Sequence, residues 1–421
     1  MAETLPAVPW TLRDDLARLV KVRGAENVRY VGGAVRDTLL GIEVKDIDLA
    51  TTLDPHEVMR RLKAHTIQAI PTGIDHGTVT AVQPEGVVEI TTLRHDVSTD
   101  GRRATVAFAS DWQDDAARRD FTINALYADP VTLEVFDYFG GLEDIAARRV
   151  RFIGDACERI REDHLRILRY FRFQARFGSQ PADSEAEKSC EELAATLKGL
   201  SRERVGMEML NLLGLPDPAP TVTRMDQLGV LAQVLPEADV SALTALIAEE
   251  TKQQVAPDAI RRLAALLPPD PAQAEQVAAR FRLSGAQKKR LAVAAGRTQK
   301  PLPFRGGVGV GTVAQAPRLT DSPHPTTPSP EEEGEQSARA LAYRLGRDAS
   351  LDRLLLTGQS IAPLEGWEIP TFPLKGGEIV ARGVKAGPEV ARVLQAVEKR
   401  WVAEGFPDAT RVGQLLDSEL T

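Results

Sequence analysis

The sequence of 421 residues has only two cysteines, Cys157 and Cys190, which lie far apart along the chain. Two isolated cysteines lack the close spacing of a metal site and predict reduced thiols in a cytoplasmic protein. No apolar run approaches the about 20 residues that a membrane-spanning helix needs. The first residues also lack the basic start and the apolar centre of a signal peptide. We therefore expect a cytoplasmic protein without a membrane segment.

An excess of positive charge is missing as well, because 60 Asp and Glu residues outnumber 52 Lys and Arg residues and leave a net charge of −8. This balance argues against a protein whose whole surface grips nucleic acid. Arginines nevertheless concentrate between Arg148 and Arg176. A local basic groove on an acidic protein would suit transient handling of one RNA. The length predicts more than one domain.

The stretch that organises the sequence is residues 28–52, VRYVGGAVRDTLLGIEVKDIDLATT. Residues 28–31 are predicted to form a short buried strand, and residues 34–40 a helix. Gly32 and Gly33 between them allow a tight turn and a close approach of the backbone to a ligand. Because the first N–H groups of a helix have no partner within it, this turn is a candidate anion-binding site.

A second strand, predicted over residues 46–50, carries Asp46 and Asp48 with one residue between them. Side chains alternate along a strand, so both carboxylates would face the same side, about 6–7 Å apart. Such a pair suits Mg²⁺, whose remaining ligands can be phosphate oxygens. A Gly-Gly turn or an Asp-x-Asp strand alone is more often an ordinary turn or a solvated edge. Their combination in one short span is the stronger signal.

The next apolar runs, residues 77–82 and 87–93, are predicted to form a hairpin around a Pro-Glu-Gly turn. Glu89 in the second run is either an edge-strand glutamate or a third carboxylate beside the other two, and its position does not decide between them. Residues 94–103, RHDVSTDGRR, have the composition of a loop.

Residues 114–129, DDAARRDFTINALYAD, form the second distinctive block. Adjacent side chains point in different directions, so we expect one of Arg118 and Arg119 to reach a triphosphate and the other to form structural ion pairs. The apolar residues that follow are predicted to pack inside the first domain.

Residues 158–176, ERIREDHLRILRYFRFQAR, are predicted to form one arginine-rich helix. On this helix Asp163 and Arg166 are three positions apart and share one face. A simple surface salt bridge is the common explanation of that spacing. Arg169 and Arg172 continue the spacing, and three arginines in a file repel each other unless an anion lies across them.

The remainder of the chain is predicted to be mostly helical. A further helix, predicted over residues 200–213, carries Arg204 and Glu208 as an internal pair. Residues 214–300 are predicted to form a helical body. Residues 301–337 are rich in Pro, Gly, Ser and Thr and cannot bury enough apolar area, so they are predicted to be a disordered insertion. Residues 338–421 return to a helical pattern.

The block at residues 28–52 resembles the active-site opening of the nucleotidyltransferase superfamily. Its letters GGAVRD and DIDLATT, together with RRDFTINA, resemble the branch of tRNA nucleotidyltransferases (CCA-adding enzymes) and bacterial poly(A) polymerases. The likeness covers about residues 28–213 and, more loosely, the C-terminal segment. The arginine-rich helix resembles that branch's protein template, EDxxRxxRxxR, which is matched here by Glu162, Asp163, Arg166, Arg169 and Arg172.

The resemblance implies an α+β fold, in which a nucleotidyltransferase domain of the polymerase-β-like palm type has a mixed sheet with helices and is followed by an all-α neck, body and tail. Residues 94–103 would then be a mobile segment that helps to position the nucleotide. The expected domains are a catalytic head (1–150), a nucleotide-selecting neck (151–213), a body (214–300), the disordered insertion (301–337) and a tRNA-binding tail (338–421).

The resemblance also assigns roles to single residues. Asp46 and Asp48 would be the catalytic residues that hold Mg²⁺, so that one ion lowers the pKa of the primer 3′-hydroxyl and another steadies the pyrophosphate. The phosphate contact of the RRD motif falls on Arg119. The residues assigned to nucleotide binding are Gly33, Arg36, Arg119, Asp163, Arg166, Arg169 and Arg172.

Asp163 and Arg166 would select the base. Cytosine and adenine each present an exocyclic amino donor beside a ring-nitrogen acceptor, which match a carboxylate and a guanidinium. Uracil and guanine present the reverse order and leave both protein groups unpaired, at a cost of about 1–3 kcal/mol for each buried group. One such pair could accept CTP and ATP and reject UTP and GTP without a nucleic-acid template.

The implied activity is the addition of C, C and A to the 3′ end of tRNA from CTP and ATP. Bacterial poly(A) polymerases share these motifs but usually carry basic tails, so the acidic composition favours CCA addition. The motifs do not separate full addition from enzymes that add only CC or only A. A non-catalytic tRNA-binding protein on the same fold would not need two facing carboxylates.

Overall fold

The computed structural model describes residues 3–100, 103–108, 111–297 and 330–421. Two compact units divide the chain, namely Met1–Val240 with Arg280–Arg282, and Ser241–Ala279 with Leu283–Thr421. The first unit includes the predicted head and neck. In its described part the second unit contains helices and no strand.

The sheet lies in the first unit and is mixed, as the sequence predicts. Strands β6 and β7 pair with each other, and the other seven form one sheet in the order β3-β4-β5-β2-β1-β8-β9. Strands β2 and β5 are parallel, and the other described pairs are antiparallel. The strands are β1 (Val28–Val31), β2 (Ile47–Thr51), β3 (Gln68–Gly73), β4 (Thr78–Gln83), β5 (Gly86–Thr92), β6 (Arg94–Asp100), β7 (Arg103–Phe108), β8 (Leu126–Ala128) and β9 (Val135–Asp137).

The first helices of the chain cover one face of this sheet, and later helices of the first unit lie in the predicted neck. The helices up to residue 239 are α1 (Asp14–Arg23), α2 (Gly33–Leu39), α3 (Pro55–Ala64), α4 (Trp112–Ala117), α5 (Gly141–Ala146), α6 (Ala156–Glu162), α7 (Arg166–Phe177), α8 (Ser184–Glu192), α9 (Arg202–Leu213), α10 (Ala219–Gln227) and α11 (Leu231–Val234). Short 3₁₀ segments occur at Pro9–Leu12, Ala25–Asn27, Ile74–His76, Thr122–Asn124, Ala194–Gly199 and, in the second unit, Ala362–Leu364.

Alternation along β2 divides its side chains between two apolar clusters. Ile47 and Leu49 are buried with residues of α1, α2 and α3 in one cluster. Ala50 is buried in the other cluster with Tyr127 and Ile153. Asp48, between Ile47 and Leu49 in sequence, therefore faces the second side of the sheet. The side chain of Asp48 is therefore kept away from the apolar cluster that contains Ile47 and Leu49.

The prediction of a loop over residues 94–103 is wrong for most of that segment. The segment forms β6 and the start of β7, which pair as an antiparallel ribbon. Polar residues such as Ser and Thr fit a strand once a neighbouring strand pairs with them, because strand preference depends on cross-strand contacts. The loop composition therefore did not reveal the ribbon.

The second unit is built from helices in its described part, as predicted for the body and tail. Helix α16 begins at Pro330, so residues 330–337 are helical rather than part of an insertion. The rest of the predicted insertion that precedes residue 330 lies outside the described residues. Among described helices, none has the length and apolar character to cross a membrane. These helices are α12 (Val240–Lys252), α13 (Ala259–Leu266), α14 (Pro271–Arg280), α15 (Gly285–Ala295), α16 (Pro330–Leu345), α17 (Arg347–Leu356), α18 (Gly376–Ala381), α19 (Pro388–Ala403) and α20 (Ala409–Leu420).

Buried ion pairs connect the helices of the second unit. Glu250 of α12 accepts hydrogen bonds from Nε of Arg261 at 2.7 Å and from Nε of Arg262 at 2.9 Å. Asp352 of α17 is fully buried. Its Oδ2 accepts from Nε of Arg290 at 2.7 Å, and its Oδ1 lies 3.4 Å from Nη1 of Arg261. Because each buried charge has a partner, the pairs fix how α12, α13, α15 and α17 meet.

Candidate active site

Asp48 of β2 lies directly beside Glu89 of the parallel strand β5, because the two residues are register partners. Asp46 is exposed and immediately precedes the strand, which begins at Ile47. Asp48 faces the side opposite to the buried Ile47, and Asp46 lies near enough for its charge to raise the pKa of Asp48. Three carboxylates therefore stand at one rim of the sheet, which we call the carboxylate rim.

The carboxylates of the rim repel each other, as the pKa of Asp48 shows. The pKa of Asp48 is raised to about 6, first by burial and then by the negative charge of Glu89, with a smaller effect of Asp46. The positive charge of Arg119 opposes this rise. Within the described ranges, no group of three or more His, Cys, Asp or Glu side chains is arranged to hold a metal ion. The carboxylates of Asp46 and Asp48 remain the oxygen donors from which the sequence predicts a magnesium site.

Gly32 makes the turn between β1 and α2 with φ of 66° and ψ of −118°, a conformation that L residues rarely adopt. A β-carbon added to Gly32 would lie 3.4 Å from Nη1 of Arg119. The glycine therefore lets Arg119 approach the turn closely. Gly33 then begins α2, and its contact with a nucleotide stays a prediction.

Arg119 is held by neighbouring groups on two sides. Its Nη2 lies 3.2 Å from Oδ2 of Asp115, and its Nε donates to the hydroxyl of Tyr127 at 3.2 Å. Burial lowers the pKa of Arg119, but Tyr127 and Asp115 raise it by more, so the net shift is upward. A fixed guanidinium that stays charged beside the glycine turn is suited to contacting a triphosphate.

Arg36 is only 6% exposed, which differs from the open position expected of a phosphate contact. Its Nε donates to Oδ1 of Asp37 at 2.7 Å, and its Nη1 donates to Oδ1 of Asn124 at 2.5 Å. Its guanidinium carbon lies 4.2 Å from the ring centre of Phe177 on α7. Arg36 therefore joins α2 to the neck, and a direct role in binding the triphosphate stays a prediction.

The single helix predicted over residues 158–176 is wrong, because α6 and α7 are separate helices joined at residues 163–165. Asp163 has extended backbone angles, φ −149° and ψ 103°, and its Oδ1 accepts from the N–H of Leu165 at 3.1 Å. Such a local side-chain bond competes with the helical backbone pattern. Oδ2 of Asp163 accepts from Nη2 of Arg204 on α9 at 2.6 Å.

Arg166 begins α7, and its guanidinium bonds to groups other than Asp163. Its Nη1 donates to Oε2 of Glu162 at 2.6 Å, and its Nη2 donates to the backbone carbonyl of Arg118 at 3.1 Å. Both members of the predicted i,i+3 pair thus have other partners. Since Arg118 precedes Arg119 in the chain, the candidate base reader lies next to the candidate triphosphate contact.

Carboxylates of the protein neutralise the arginine file on α7. Nε of Arg169 donates to Oδ2 of Asp120 at 2.8 Å, and Nε of Arg172 donates to Oε2 of Glu208 at 2.6 Å. The anions that lie across the file in the structure are therefore protein carboxylates, and both are buried. Glu208 serves Arg172 rather than Arg204, the partner expected from their spacing.

Asn124 and Asp120 connect α2 to α7. The sequence alone did not predict a role for either residue. Nδ2 of Asn124 donates to Oδ1 of Asp120 at 2.9 Å, while its own Oδ1 accepts from Arg36. Arg36, Asn124, Asp120 and Arg169 thus form a continuous chain of hydrogen bonds from α2 to α7. Asp120 and Asn124 both lie within the motif RRDFTINA, and that motif was the signal in the sequence that could have identified them.

Two parts of the first unit match known families. Residues 28–151 match the family described as the Poly A polymerase head domain. Residues 183–241 match the family described as the probable RNA and SrmB-binding site of polymerase A. These two parts of the chain are therefore similar to proteins of the poly A polymerase class.

The relatives within that class are CCA-adding enzymes. The human protein named CCA tRNA nucleotidyltransferase 1, mitochondrial, is 46% identical over 195 residues, which are 46% of this chain and 45% of that protein. The CCA-adding enzyme of Latilactobacillus sakei is 38% identical over 186 residues, 44% of this chain and 45% of that protein. The chain thus matches less than half the length of each relative. The family resemblance found in the sequence is confirmed.

A solved structure extends the likeness in fold to nearly the whole chain. The structure of the Bacillus stearothermophilus CCA-adding enzyme in complex with CTP gives a TM-score of 0.67 at 22% identity, and it covers 97% of this chain and 98% of that chain. The α+β fold with a mixed sheet and a helical C-terminal part is therefore confirmed.

Proposed function

We propose that this chain adds C, C and A to the 3′ end of tRNA from CTP and ATP, and that pyrophosphate leaves. The observation that carries the proposal is the Asp48–Glu89 register pair, which stands at a rim next to Arg119. Arg166 then bonds to the residue that precedes Arg119. The names of the matched relatives, CCA tRNA nucleotidyltransferase and CCA-adding enzyme, support this activity.

The carboxylate rim fits Mg²⁺. Asp46 and Asp48 would hold the ion, and Glu89 is in register to provide a further oxygen. The raised pKa of Asp48 supports this fit, because a cation would relieve the repulsion between the carboxylates. Bound there, Mg²⁺ would lower the pKa of the primer 3′-hydroxyl and neutralise charge on the leaving pyrophosphate. The strands keep the carboxylates in fixed positions.

The triphosphate would lie between the glycine turn and the arginines. Arg119 is the favoured contact, because its charge is fixed and Gly32 leaves it access to the turn. Backbone N–H groups at Gly33 would donate to phosphate oxygens. Arg36 would shape this pocket from its buried position. Arg169 or Arg172 would reach a phosphate only by exchanging its carboxylate partner.

Asp163 and Arg166 would read the base by a similar exchange. The Asp163 carboxylate would accept from the amino group of cytosine or adenine, and the Arg166 guanidinium would donate to the ring nitrogen. In the structure Arg204 donates to the Asp163 carboxylate, and Glu162 accepts from the Arg166 guanidinium. A correct base would replace Glu162 at Arg166 and would donate to a further lone pair of Asp163 beside Arg204, whereas uracil or guanine would present donors and acceptors in the wrong order.

Poly(A) synthesis is the second candidate function, because the descriptions of both matched families name polymerase A or poly A polymerase. Addition of only CC or only A would use the same residues. The cytoplasmic location expected from the sequence stays a prediction, since the human relative is named mitochondrial.

The test is to incubate the purified protein with tRNA that lacks its 3′ end, with Mg²⁺ and with one labelled nucleotide at a time. Incorporation of CTP followed by ATP is the expected result. Long tracts of AMP on any RNA would instead identify a poly(A) polymerase, and ATP addition only to tRNA that ends in CC would identify an A-adding enzyme. Tight tRNA binding without any incorporation would contradict an enzymatic role.

A further inference from the structure

Asp115 on α4 is a buried carboxylate to which the proposed reaction gives no direct role. Its exposure is 1%. Burial would raise the pKa of Asp115, but neighbouring donors lower it to about 2, so the carboxylate is ionised. The donors are Nε and Nη2 of Arg118 at 2.9 and 2.7 Å, Nη2 of Arg119 at 3.2 Å, the hydroxyl of Tyr127 at 2.6 Å and the backbone N–H of Arg94 at 3.3 Å.

These donors come from three parts of the proposed site. Arg119 is the favoured triphosphate contact. Arg94 is the first residue of β6, so its N–H ties the base of the β6–β7 ribbon to α4. Arg118 presents its carbonyl to the candidate base reader Arg166 at 3.1 Å. One carboxylate thus touches, directly or through one residue, the groups proposed for phosphate binding and base selection.

We propose that Asp115 is a positioning residue that holds Arg119 against the triphosphate and, through Arg118, holds Arg166 against the base. The inference rests on the proposed nucleotidyl transfer. Oδ1 of Asp115 accepts from Arg118, whereas Oδ2 accepts from Arg119. A rotation of this carboxylate would therefore move both guanidinium groups together, so phosphate binding and base reading are coupled.

The C-terminal end of α4 carries this coupling to the neck. The carbonyls of Ala117 and Arg118 accept from Nη1 of Arg159 at 3.0 Å and from Nη2 of Arg166 at 3.1 Å. Carbonyls at the end of a helix have no partner within it and carry partial negative charge, so they attract cations. Because Asp115 fixes the orientation of this last turn, its loss would displace the acceptor of Arg166.

Two other roles for Asp115 predict different results. If its charge alone mattered, its removal would strengthen the positive potential around Arg119 and would tighten triphosphate binding. If it only stabilised the fold, its removal would lower the melting temperature and would affect CTP and UTP equally. A positioning role predicts weaker triphosphate binding together with poorer discrimination between bases.

The test compares Asp115→Asn with Asp114→Asn in the full chain. Asp114 is the exposed neighbour on the same helix, and its variant makes the same change of charge. Equilibrium binding of CTP without RNA is measured first, followed by KM and kcat for CTP and for UTP. We expect about a tenfold or larger rise in the Kd and KM for CTP in Asp115→Asn, because a charge-assisted contact is lost. The ratio of kcat/KM for CTP over UTP should fall, and Asp114→Asn should match the original protein.

An unchanged or lower KM for CTP, or an unchanged ratio of CTP to UTP, would overturn the positioning role. If Asp115→Asn does not fold, Tyr127→Phe decides, because it removes one hydroxyl shared by Asp115 and Arg119 and keeps the ring. A smaller shift in the same direction supports the role, and no shift overturns it. Failure of the unaltered protein to add any nucleotide would reject the proposed function separately, since the CTP-binding comparison does not need turnover.

Discussion

Arg204 on α9 donates a hydrogen bond of 2.6 Å to Oδ2 of Asp163, the carboxylate proposed to read the base. The two side chains are 31% and 27% exposed, so solvent and a ligand can reach the pair. In this arrangement Asp163 is fixed in the gap between α6 and α7 before a nucleotide arrives. Arg204 therefore orients the carboxylate that the proposed selection depends on.

We expect Arg204→Gln to weaken base discrimination. Without the guanidinium, Asp163 keeps only its bond to the N–H of Leu165, and one charge-assisted hydrogen bond of about 1.5–3 kcal/mol is lost. The ratio of kcat/KM for CTP over UTP should fall about tenfold, which corresponds to about 1.4 kcal/mol. Arg161→Gln, at an exposed position on α6, is the matched control. An unaltered CTP preference in Arg204→Gln would show that Arg204 does not orient the reader.

The pKa of Asp48 predicts a stability difference that depends on pH. Its value of about 6 in the folded protein lies above the ordinary 3.8, so the folded protein binds this proton more tightly than the unfolded chain does. The contribution of Asp48 to the free energy of unfolding therefore decreases as the pH rises from about 4 to about 6. With EDTA at pH 8, Asp48→Asn should be more stable than the original protein by about 1–2 kcal/mol.

Urea unfolding at several pH values checks this expectation. The difference between Asp48→Asn and the original protein should vanish below about pH 4, where Asp48 is neutral in both states. Added Mg²⁺ should stabilise the original protein and not the variant, because the ion needs the carboxylate. Asp75→Asn, an exposed acid on the head, should behave like the original protein. A variant that is less stable at pH 8 in EDTA would contradict the charge repulsion described for the rim.

Glu208→Gln should destabilise the first unit. Glu208 is 8% exposed and accepts from Arg172 at 2.6 Å, so the variant leaves a half-buried guanidinium without its anion. We expect a loss of about 2 kcal/mol in the free energy of unfolding, less than for a fully buried pair. Denaturation in urea measures it, and Glu203→Gln at an exposed position on the same helix is the control. Equal stability of the two variants would show that the pair contributes nothing.

Gly32→Ala should damage both folding and nucleotide binding. Alanine at φ 66° is strained by about 1–3 kcal/mol, and its β-carbon would lie 3.4 Å from Nη1 of Arg119. Melting temperature and Kd for CTP are the readouts. Gly199→Ala is the control, because a β-carbon there meets nothing within 4 Å. Normal CTP binding by Gly32→Ala would separate the turn from the triphosphate site.

The sequence predicted those parts of the site that depend on neighbouring residues along the chain. Paired glycines predicted the turn before α2, whereas the shared face of Asp46 and Asp48 stays a prediction because β2 begins at Ile47. Both patterns are fixed by backbone geometry within a few positions. The fold class followed from these motifs together with the helical pattern of the remaining chain.

The sequence failed where a partner comes from another element. The spacing of Asp163 and Arg166 suggests an i,i+3 pair, yet a local bond to Leu165 ends α6 and lets Arg204 take the carboxylate. Asp115 resembles its exposed neighbour in sequence, and only the tertiary fold shows that donors from β6 and β8 converge on it. Such partners depend on packing and not on local pattern.

The ion pairs of the second unit cross a long stretch of sequence. Arg261 and Arg290 precede residues 298–329, whereas their shared partner Asp352 follows them. A chain cut within that stretch would separate Asp352 from both arginines, whereas Arg261 and Arg290 would keep Glu250 and Asp258 as partners. The second piece could therefore bury the Asp352 carboxylate at low cost only by associating with the first, so the pairing across the stretch favours an uncut chain.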